Sequence, residues 1–262
     1  GNLKLKGSNG LTRSLLTLQF ALSISLLIGG FVAVKNAEYL SGMDMGYDVQ
    51  QLIGLSNLEG QEVEALKNSV QQNSLVENVS AIRGSAISGN FMSELKVDTS
   101  TFNGQVYQVD ADYFATLGRS LVQGRGFDPE KASDYSEGIL VNEYFVEKMG
   151  WKNPINQRII FQDTARFVIG VVEDLVGDLY RNEKSPAIFR QLATADHSRL
   201  IVRAKADDLE QINKFLQQAW KEVAPYKPYT AEYMTQTVMG YPLREMRVFK
   251  KVFFFLAVLG GL

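Results

Sequence analysis

The stretch LLTLQFALSISLLIGGFVAV, residues 15–34, carries no charged side chain and decides the architecture of this chain. A helix of about 20 apolar residues crosses the roughly 30 Å of hydrocarbon in a bilayer. Its polar side chains can hydrogen-bond to the helix backbone or to a neighbouring helix; they are Thr17, Gln19, Ser23 and Ser25. We therefore predict a transmembrane helix over residues 15–36, preceded by a cytoplasmic segment at 1–14.

Two other interpretations of this stretch are weaker. A cleaved signal peptide would use Lys4, Lys6 and Arg13 as its charged start. However, the apolar run exceeds the usual h-region of about 7–15 residues, and no small-x-small cleavage site follows it. A buried core helix is weaker still, because the run has no strongly polar face.

A second apolar run, VFFFLAVLGGL at 252–262, closes the chain. We expect residues 241–262 to form a stalk and the truncated start of a second transmembrane helix. Because the chain begins with Gly1 and stops inside this run, we expect both ends to be cut points in a longer protein. The predicted layout is thus a globular domain between two membrane segments.

The distribution of basic residues gives conflicting indications of membrane orientation. Basic residues before the first helix favour a cytoplasmic start, whereas another basic group precedes the second run, consisting of Arg244, Arg247, Lys250 and Lys251. The positive-inside rule applies to short loops, and a large domain translocates largely regardless of charge, so the cytoplasmic start is kept. The net charge of −2 argues against a nucleic-acid partner. The absence of cysteine excludes disulfides and thiolate metal sites.

The region between the apolar ends contains two similar strand–helix–strand patterns. In the first, an extended run at 49–55 precedes an amphipathic helix at 61–73 and a strand at 75–82. In the second, a strand at 199–205 leads into a helix that Asp207 or Asp208 would cap, followed by a strand within 228–234. Two such units at opposite ends of the domain predict one α+β subdomain into which the middle is inserted.

The middle is predicted to be strand-rich. Asn103-Gly104 indicates the turn of a β-hairpin, and Asp112 is expected to cap a short helix that ends at Gly118. A strand at 138–142 precedes a helix at 143–150. Strands at 157–161 and 166–172 should pair around a turn at Gln162, Asp163 and Thr164. Aromatic side chains are expected in the core: Tyr107, Tyr113, Phe114, Phe127, Tyr144, Phe145, Phe161 and Phe167.

No pattern in the chain predicts catalysis. Asp196-His197-Ser198 has the residue types of a hydrolytic triad, but adjacent side chains point apart and cannot form the relay. Gly124-Arg125-Gly126 lacks the third glycine and following helix of a phosphate loop. Glu173, Asp174 and Asp178 are interpreted as a solvated strand end in preference to a Mg²⁺ or Ca²⁺ site. We expect no catalytic residue, no cofactor and no metal.

Six blocks of sequence, in order, resemble FtsX-like and MacB-like ABC transporter permeases, in particular the Bacteroidetes type. These blocks are QFALSISLLIGG (19–30), GYDVQQLIGL (46–55), VDADYFATLGRSLVQGRGFD (109–128), ILVNEYFVEKMGWKNPINQRI (139–159), FVIGVVEDL (167–175) and YPLREMRVFKKVFFFLAVLGGL (241–262). The chain departs from the family pattern at Gly126, Asn156 and Leu175, which affects local loop geometry and not membership.

The resemblance implies a MacB-like periplasmic core domain with a porter-like subdomain at 37–90 and 191–240 and an inserted strand-rich subdomain at 91–190. It further implies that ATP-driven motion of the membrane helices moves this domain through stalks near Val34–Leu40 and Tyr241–Lys250. The implied partners are an ABC ATPase, a second permease copy, a periplasmic or outer-membrane protein and membrane lipid. The implied location is the bacterial inner membrane, with the domain in the periplasm.

Two other functions remain open on the residues alone. A transmembrane sensor with an extracytoplasmic ligand-binding domain shares the same layout of two membrane segments around one domain. A membrane-anchored enzyme also fits the layout, but the chain shows no catalytic constellation to support it. The permease is preferred because its blocks occur in order over nearly the whole chain.

Overall fold

A computed structural model describes residues 8–41, 49–84, 91–175, 184–193 and 196–235. The chain divides into two compact units, Gly1–Met43 with Met239–Leu262, and Asp44–Val238. In the first unit the described element is one helix, α1 (Ser8–Ser41). By length and composition, its stretch Gly10–Asn36 is a candidate membrane span, and large apolar side chains along it are exposed. The predicted stalk at 34–40 is therefore the continuation of this helix, while the predicted second stalk lies outside the described residues.

The described residues of the second unit form one continuous sheet of eleven strands. The strands are β1 (Leu52–Leu55), β2 (Val76–Arg83), β3 (Phe91–Val97), β4 (Ser100–Val109), β5 (Leu121–Gly124), β6 (Gly138–Asn142), β7 (Arg158–Phe161), β8 (Thr164–Val172), β9 (Ala187–Gln191), β10 (Arg199–Ala204) and β11 (Ala231–Tyr233). The helices are α2 (Gly60–Gln71), α3 (Tyr113–Leu117), α4 (Ala132–Ser136), α5 (Glu143–Met149) and α6 (Leu209–Val223). Short 3-10 turns precede β1 and α6.

The two predicted strand–helix–strand units are confirmed, and they interlock. The sheet order β11-β1-β10-β2 places β10 between the two strands of the first unit and β1 between those of the second. All three ladders are antiparallel, so each unit joins two parallel strands through its helix. Helices α2 and α6 cover a core that includes Ile53, Leu66, Leu216 and Trp220. We call β1, β2, β10, β11, α2 and α6 the helix-packed half.

Strands β3 to β9 form the rest of the sheet. Together with helices α3 to α5, we call them the inserted half. Its core is separate and includes Leu95, Ile139, Phe145, Phe161 and Ile188. Within the sheet, the halves are joined where β2 pairs with β4 over two residue pairs, Ile82↔Val109 and Arg83↔Gln108, and helix α3 also packs against β2 and β10. The exact subdomain bounds given by the sequence stay a prediction.

The predicted hairpin forms, but its turn lies at a different position from the one predicted. Strand β4 runs straight through Asn103-Gly104, and the turn falls at Asp98 and Thr99, where Asp98 has φ +50°. Gly104 is required for a different reason. A Cβ at this position would lie 2.5 Å from Leu95 Cδ1 and 3.0 Å from the Pro186 carbonyl oxygen, so a close approach explains this glycine.

Other local predictions had mixed outcomes. The turn between β7 and β8 is confirmed, with positive φ at Gln162 and Asp163. Left-handed Gly118 and Gly150 end α3 and α5, as predicted. Asp112 and Asp208 occupy the N-cap positions of α3 and α6, as predicted, but neither side chain makes a cap hydrogen bond, and Asp207 lies inside the 3-10 turn. The aromatic core is confirmed except that Phe167 is exposed and Tyr144 is half-buried.

Candidate functional site

The strongest polar cluster of the domain lies where its two halves join. Buried Asp110 follows β4, and its Oδ1 accepts hydrogen bonds from Ser80 Oγ at 2.7 Å and the Asp112 amide at 3.1 Å. Its Oδ2 accepts from the Ala81 amide at 2.6 Å and from Lys67 Nζ at 2.7 Å. We call these five residues the junction. It fastens the end of β4 to both β2 and α2.

Lys67 explains why Asp112, which lies at the N-cap of α3, makes no cap hydrogen bond with its side chain. Its Nζ donates to Asp112 Oδ2 at 2.6 Å, which draws this carboxylate towards α2. Burial alone would lower the pKa of the Lys67 ammonium, but the charges and hydrogen bonds of Asp110 and Asp112 raise it above its ordinary value. The junction is therefore charged and satisfied, which is a bracing arrangement and not one prepared to transfer a proton.

A second cluster ties the inserted half together at the ends of β6 and β8. Asn142 Nδ2 donates to Asp174 Oδ1 at 2.9 Å and to the Ser185 carbonyl at 3.0 Å. Its Oδ1 accepts from the amides of Phe145 and Ala187, so it caps α5 and holds the start of β9. The expectation of a solvated strand end was wrong for Asp174, which is bound here, while Asp178 lies outside the described residues.

The other acidic and glycine-rich candidates are structural as well. Glu173 pairs with Arg119 at 2.8 Å. In Gly124-Arg125-Gly126, the Arg125 guanidinium makes a bidentate contact with buried Asp134, at 2.6 and 2.8 Å. Hydrogen bonds from Arg125 lower the pKa of the Asp134 carboxyl, against the opposing effect of burial. The arginine of this loop therefore binds a carboxylate of α4 and not a phosphate.

The Asp196-His197-Ser198 segment lies beside a cleft of about 630 Å³. The cleft is lined by Leu58, Glu59, Gly60, Gln61, Glu62, Arg83, Asp196, His197 and Ser198. His197 is buried, and neither ring nitrogen has a hydrogen-bond partner among the described residues, so no relay exists there. Burial lowers the pKa of its imidazole; the charges of Asp110 and Asp196 oppose this effect and that of Lys67 adds to it. Within the described ranges, no cluster of residues could hold a metal ion.

Neither Lys67 nor Asp134 stands out in the sequence as a functional residue. Lys67 faces Asp110 from 43 positions away, and nothing in an amphipathic helix distinguishes it from a solvated lysine. Asp134 lies in a short polar helix, and its burial is visible only in the folded chain. By contrast, Asp110, Asn142 and Asp174 all fall inside the blocks that resemble the permease family, which is the signal that could have singled them out.

The domain that contains these clusters is similar to a known protein family. The family model described as the MacB-like periplasmic core domain matches residues 18–219. The chain belongs to this family. MacB-like domains of this kind belong to ABC transporter permeases. A search of curated proteins finds no match.

Solved structures agree with this MacB-like fold. The periplasmic region of MacB from Actinobacillus actinomycetemcomitans is 16% identical with a TM-score of 0.56, covering 76% of this chain and 95% of that one. The extracellular domain of the noncanonic ABC-type transporter YknZ from Gram-positive bacteria gives 15% and 0.52, covering 69% and 99%. A domain of a protein described as a permease from Porphyromonas gingivalis gives 16% and 0.51, covering 71% and 92%. At these identities the likeness concerns the fold.

Proposed function

We propose that this chain is part of an ABC transporter permease subunit whose extracytoplasmic domain is moved by ATP-driven helix motion, for the export or extraction of a substrate. One observation carries the proposal. Strand β1, the first after α1, pairs antiparallel with β11, the last described strand, with Ile53 opposite Tyr233. The start of β1 and the end of β11 therefore lie side by side at the same end of the sheet, and in the proposed mechanism both membrane segments act there.

The polar clusters support the same mechanism. Among the described residues, motion applied at β1 and β11 reaches the inserted half through the β2–β4 ladder, through helix α3 packed against β2 and β10, and through the polar contacts that reinforce them. The junction supplies that reinforcement, because Lys67 and Asp110 join α2 to the end of β4. A domain braced in this way can move as one body.

The partners and location follow from this proposal. ATP hydrolysis would occur in a separate ABC ATPase bound on the cytoplasmic side, and the permease would act as a dimer in the bacterial inner membrane. The domain would then lie in the periplasm, where a periplasmic or outer-membrane protein could meet it. Purification of the full-length permease under mild conditions should retain the ATPase; its consistent absence would contradict the proposal.

A flexible insertion provides the functional test. A Gly-Ser linker of about ten residues placed within 42–48 should abolish ATP-driven transport, because a flexible linker transmits little force. ATPase binding and folding of the domain should be unchanged. The matched control places the same linker at the exposed turn of Gln162 and Asp163, where transport should persist. Transport that survives the 42–48 insertion would refute mechanical coupling through this connection.

A further inference from the structure

Helix α3 belongs to the inserted half but also packs against the helix-packed half. It follows β4 in the chain, and the rings of Phe114 and Tyr113 lie against Phe189 of β9, with centroids 4.9 and 6.3 Å apart. It also packs against β2 and β10. Val202 of β10 belongs to the core covered by α2 and α6, so its neighbour Arg203 points to the opposite face of the sheet. Arg203 contacts α3 on that opposite face.

Arg203 joins α3 to the beginning of the domain. Its Nη1 donates to the Thr116 carbonyl at 3.4 Å, in the last turn of α3, where carbonyls have no amide partner within the helix. Its Nη2 donates to Gln51 Oε1 at 2.8 Å, and its Nε donates to Glu77 Oε2 at 3.2 Å. Gly118 permits this approach, because a Cβ there would collide with Arg203 Nη1. We call these five residues the Arg203 brace.

The brace depends more on the shape of the guanidinium than on its charge. Two of the three acceptors, the Gln51 amide oxygen and the Thr116 carbonyl, are neutral, and the third, the Glu77 carboxylate, is 39% exposed. A flat fork with several donors can reach acceptors on separate elements at once, whereas a lysine ammonium is a compact point charge. Only 18% of the Arg203 side chain is exposed, so packing and these hydrogen bonds hold it in place.

The Arg203 brace and the junction resist bending in opposite directions. Within the sheet, the two residue pairs of the β2–β4 ladder form a narrow connection about which the halves could bend. The junction joins β4 to α2, which packs on one face, and Arg203 joins β10 to α3 on the other face. Bending towards either face would stretch the contact on the opposite face. Gln51 follows the 42–48 connection from α1 by three residues, so the brace begins close to the membrane segment in the chain.

We propose that Arg203 is a positioning residue for transport, which makes the inserted half follow motion that enters the domain near Gln51. The inference rests on the proposed function, because it requires helix motion to drive this domain. Motion passes from Gln51 through the guanidinium to the Thr116 carbonyl, and then through the aromatic contacts of α3 to β9. Without Arg203, the ladder and the junction still hold the halves together at rest, but the halves bend relative to each other when the membrane helices move.

Dependence on ATP separates this role from ordinary stabilisation. In the full-length permease reconstituted with its ATPase, spin labels attached through Tyr226→Cys and Lys152→Cys, both exposed, report the distance between the halves. With Arg203 present, this distance should be the same with and without ATP. In Arg203→Gln it should be normal without ATP and shift when ATP is added, whereas loss of a merely stabilising residue would alter it equally in both states. The matched control is Arg199→Gln on the same strand, whose partner Glu232 also lies in the helix-packed half; it should show no shift.

Two further measurements keep the outcomes distinct. If Arg203→Gln does not fold, as judged by its thermal transition, Gln51→Leu removes the acceptor near the 42–48 connection and should give the same ATP-dependent shift. A fluorophore on Tyr226→Cys alone, with a quencher held at the membrane surface, reports whether ATP moves the domain. ATP-dependent quenching without an ATP-dependent distance in the folded variants, or an equal shift in Arg199→Gln, would overturn the role of Arg203 and leave the proposed function intact. Quenching that ATP never changes would contradict the proposed function, and this inference with it.

Discussion

The helix-packed half and the inserted half belong to one sheet, yet different kinds of side chain hold each half together. In the first, two long helices bury apolar residues such as Leu216 and Trp220. In the second, where the helices are short, single buried polar residues such as Asn142 and Asp134 fix several loops at once. The buried polar residues that lie inside the family blocks, Asp110, Asn142 and Asp174, each hold separate elements of the fold together.

The largest effect is expected at the junction, where the halves meet. Asp110→Ala should lower the free energy of unfolding by about 3 to 4 kcal/mol, because it strands buried donors on Ser80, Ala81 and Lys67. Urea denaturation of the membrane-reconstituted chain measures this change. Asp112→Asn is the matched control: its carboxylate is half-exposed, so the loss should stay below about 1 kcal/mol. Equal losses in the two variants would show that buried Asp110 stabilises the domain no more than half-exposed Asp112.

Asn142→Ala tests the inserted half alone. The variant loses the cap of α5 and leaves the Ala187 amide and Asp174 without their shared partner, so we expect a loss of about 3 kcal/mol. Leu216→Ala in the other half should cost about the same through a core cavity. Hydrogen exchange should then locate each loss in its own half. Uniform loss of protection in both variants would show that the halves are not energetically distinct.

The contrast between the halves also explains what the sequence could predict. Apolar periodicity revealed α2, α6 and their strands, because burial against a sheet leaves a repeating pattern. It could not place the turn at Asp98, since Asn103-Gly104 is the stronger local turn signal, and only the approach of Leu95 and Pro186 makes Gly104 a strand residue. Partners such as Lys67 and Asp134 depend on tertiary contacts, which local patterns do not encode.

The pH dependence of stability tests the buried histidine beside the junction. Burial and Lys67 lower the pKa of His197, with Asp110 and Asp196 opposing, so the folded chain binds a proton less readily than the unfolded chain. The free energy of unfolding should contain the full contribution of neutral His197 above the unfolded pKa of about 6.5, and it should fall as the pH drops below this value. Thermal transitions between about pH 7.5 and 5.5, a range that brackets this unfolded pKa, should show the decline, and His197→Gln should flatten it. An identical slope in the variant would assign the decline to other groups.

The smallest effect concerns the corrected hairpin. Asp98 has a left-handed backbone, so Asp98→Gly should stabilise the inserted half by about 0.5 kcal/mol. Asn103→Gly, in the middle of β4, should instead destabilise it by about 0.5 to 1 kcal/mol. Chemical denaturation of both variants gives the two signs. Stabilisation by Asn103→Gly would return the turn to the position that the sequence indicated.

We infer that the two halves move together as one body driven from the membrane. The chain has no cysteine, so labels can be placed uniquely through Tyr226→Cys in the helix-packed half and Lys152→Cys in the inserted half, both exposed positions. In the full-length permease reconstituted with its ATPase, the distance between spin labels at these two positions should be the same with and without ATP. Over the same ATP cycle, a fluorophore attached through Tyr226→Cys alone should be quenched to a varying extent by a quencher held at the membrane surface. A changed distance between the spin labels with constant quenching would contradict the claim.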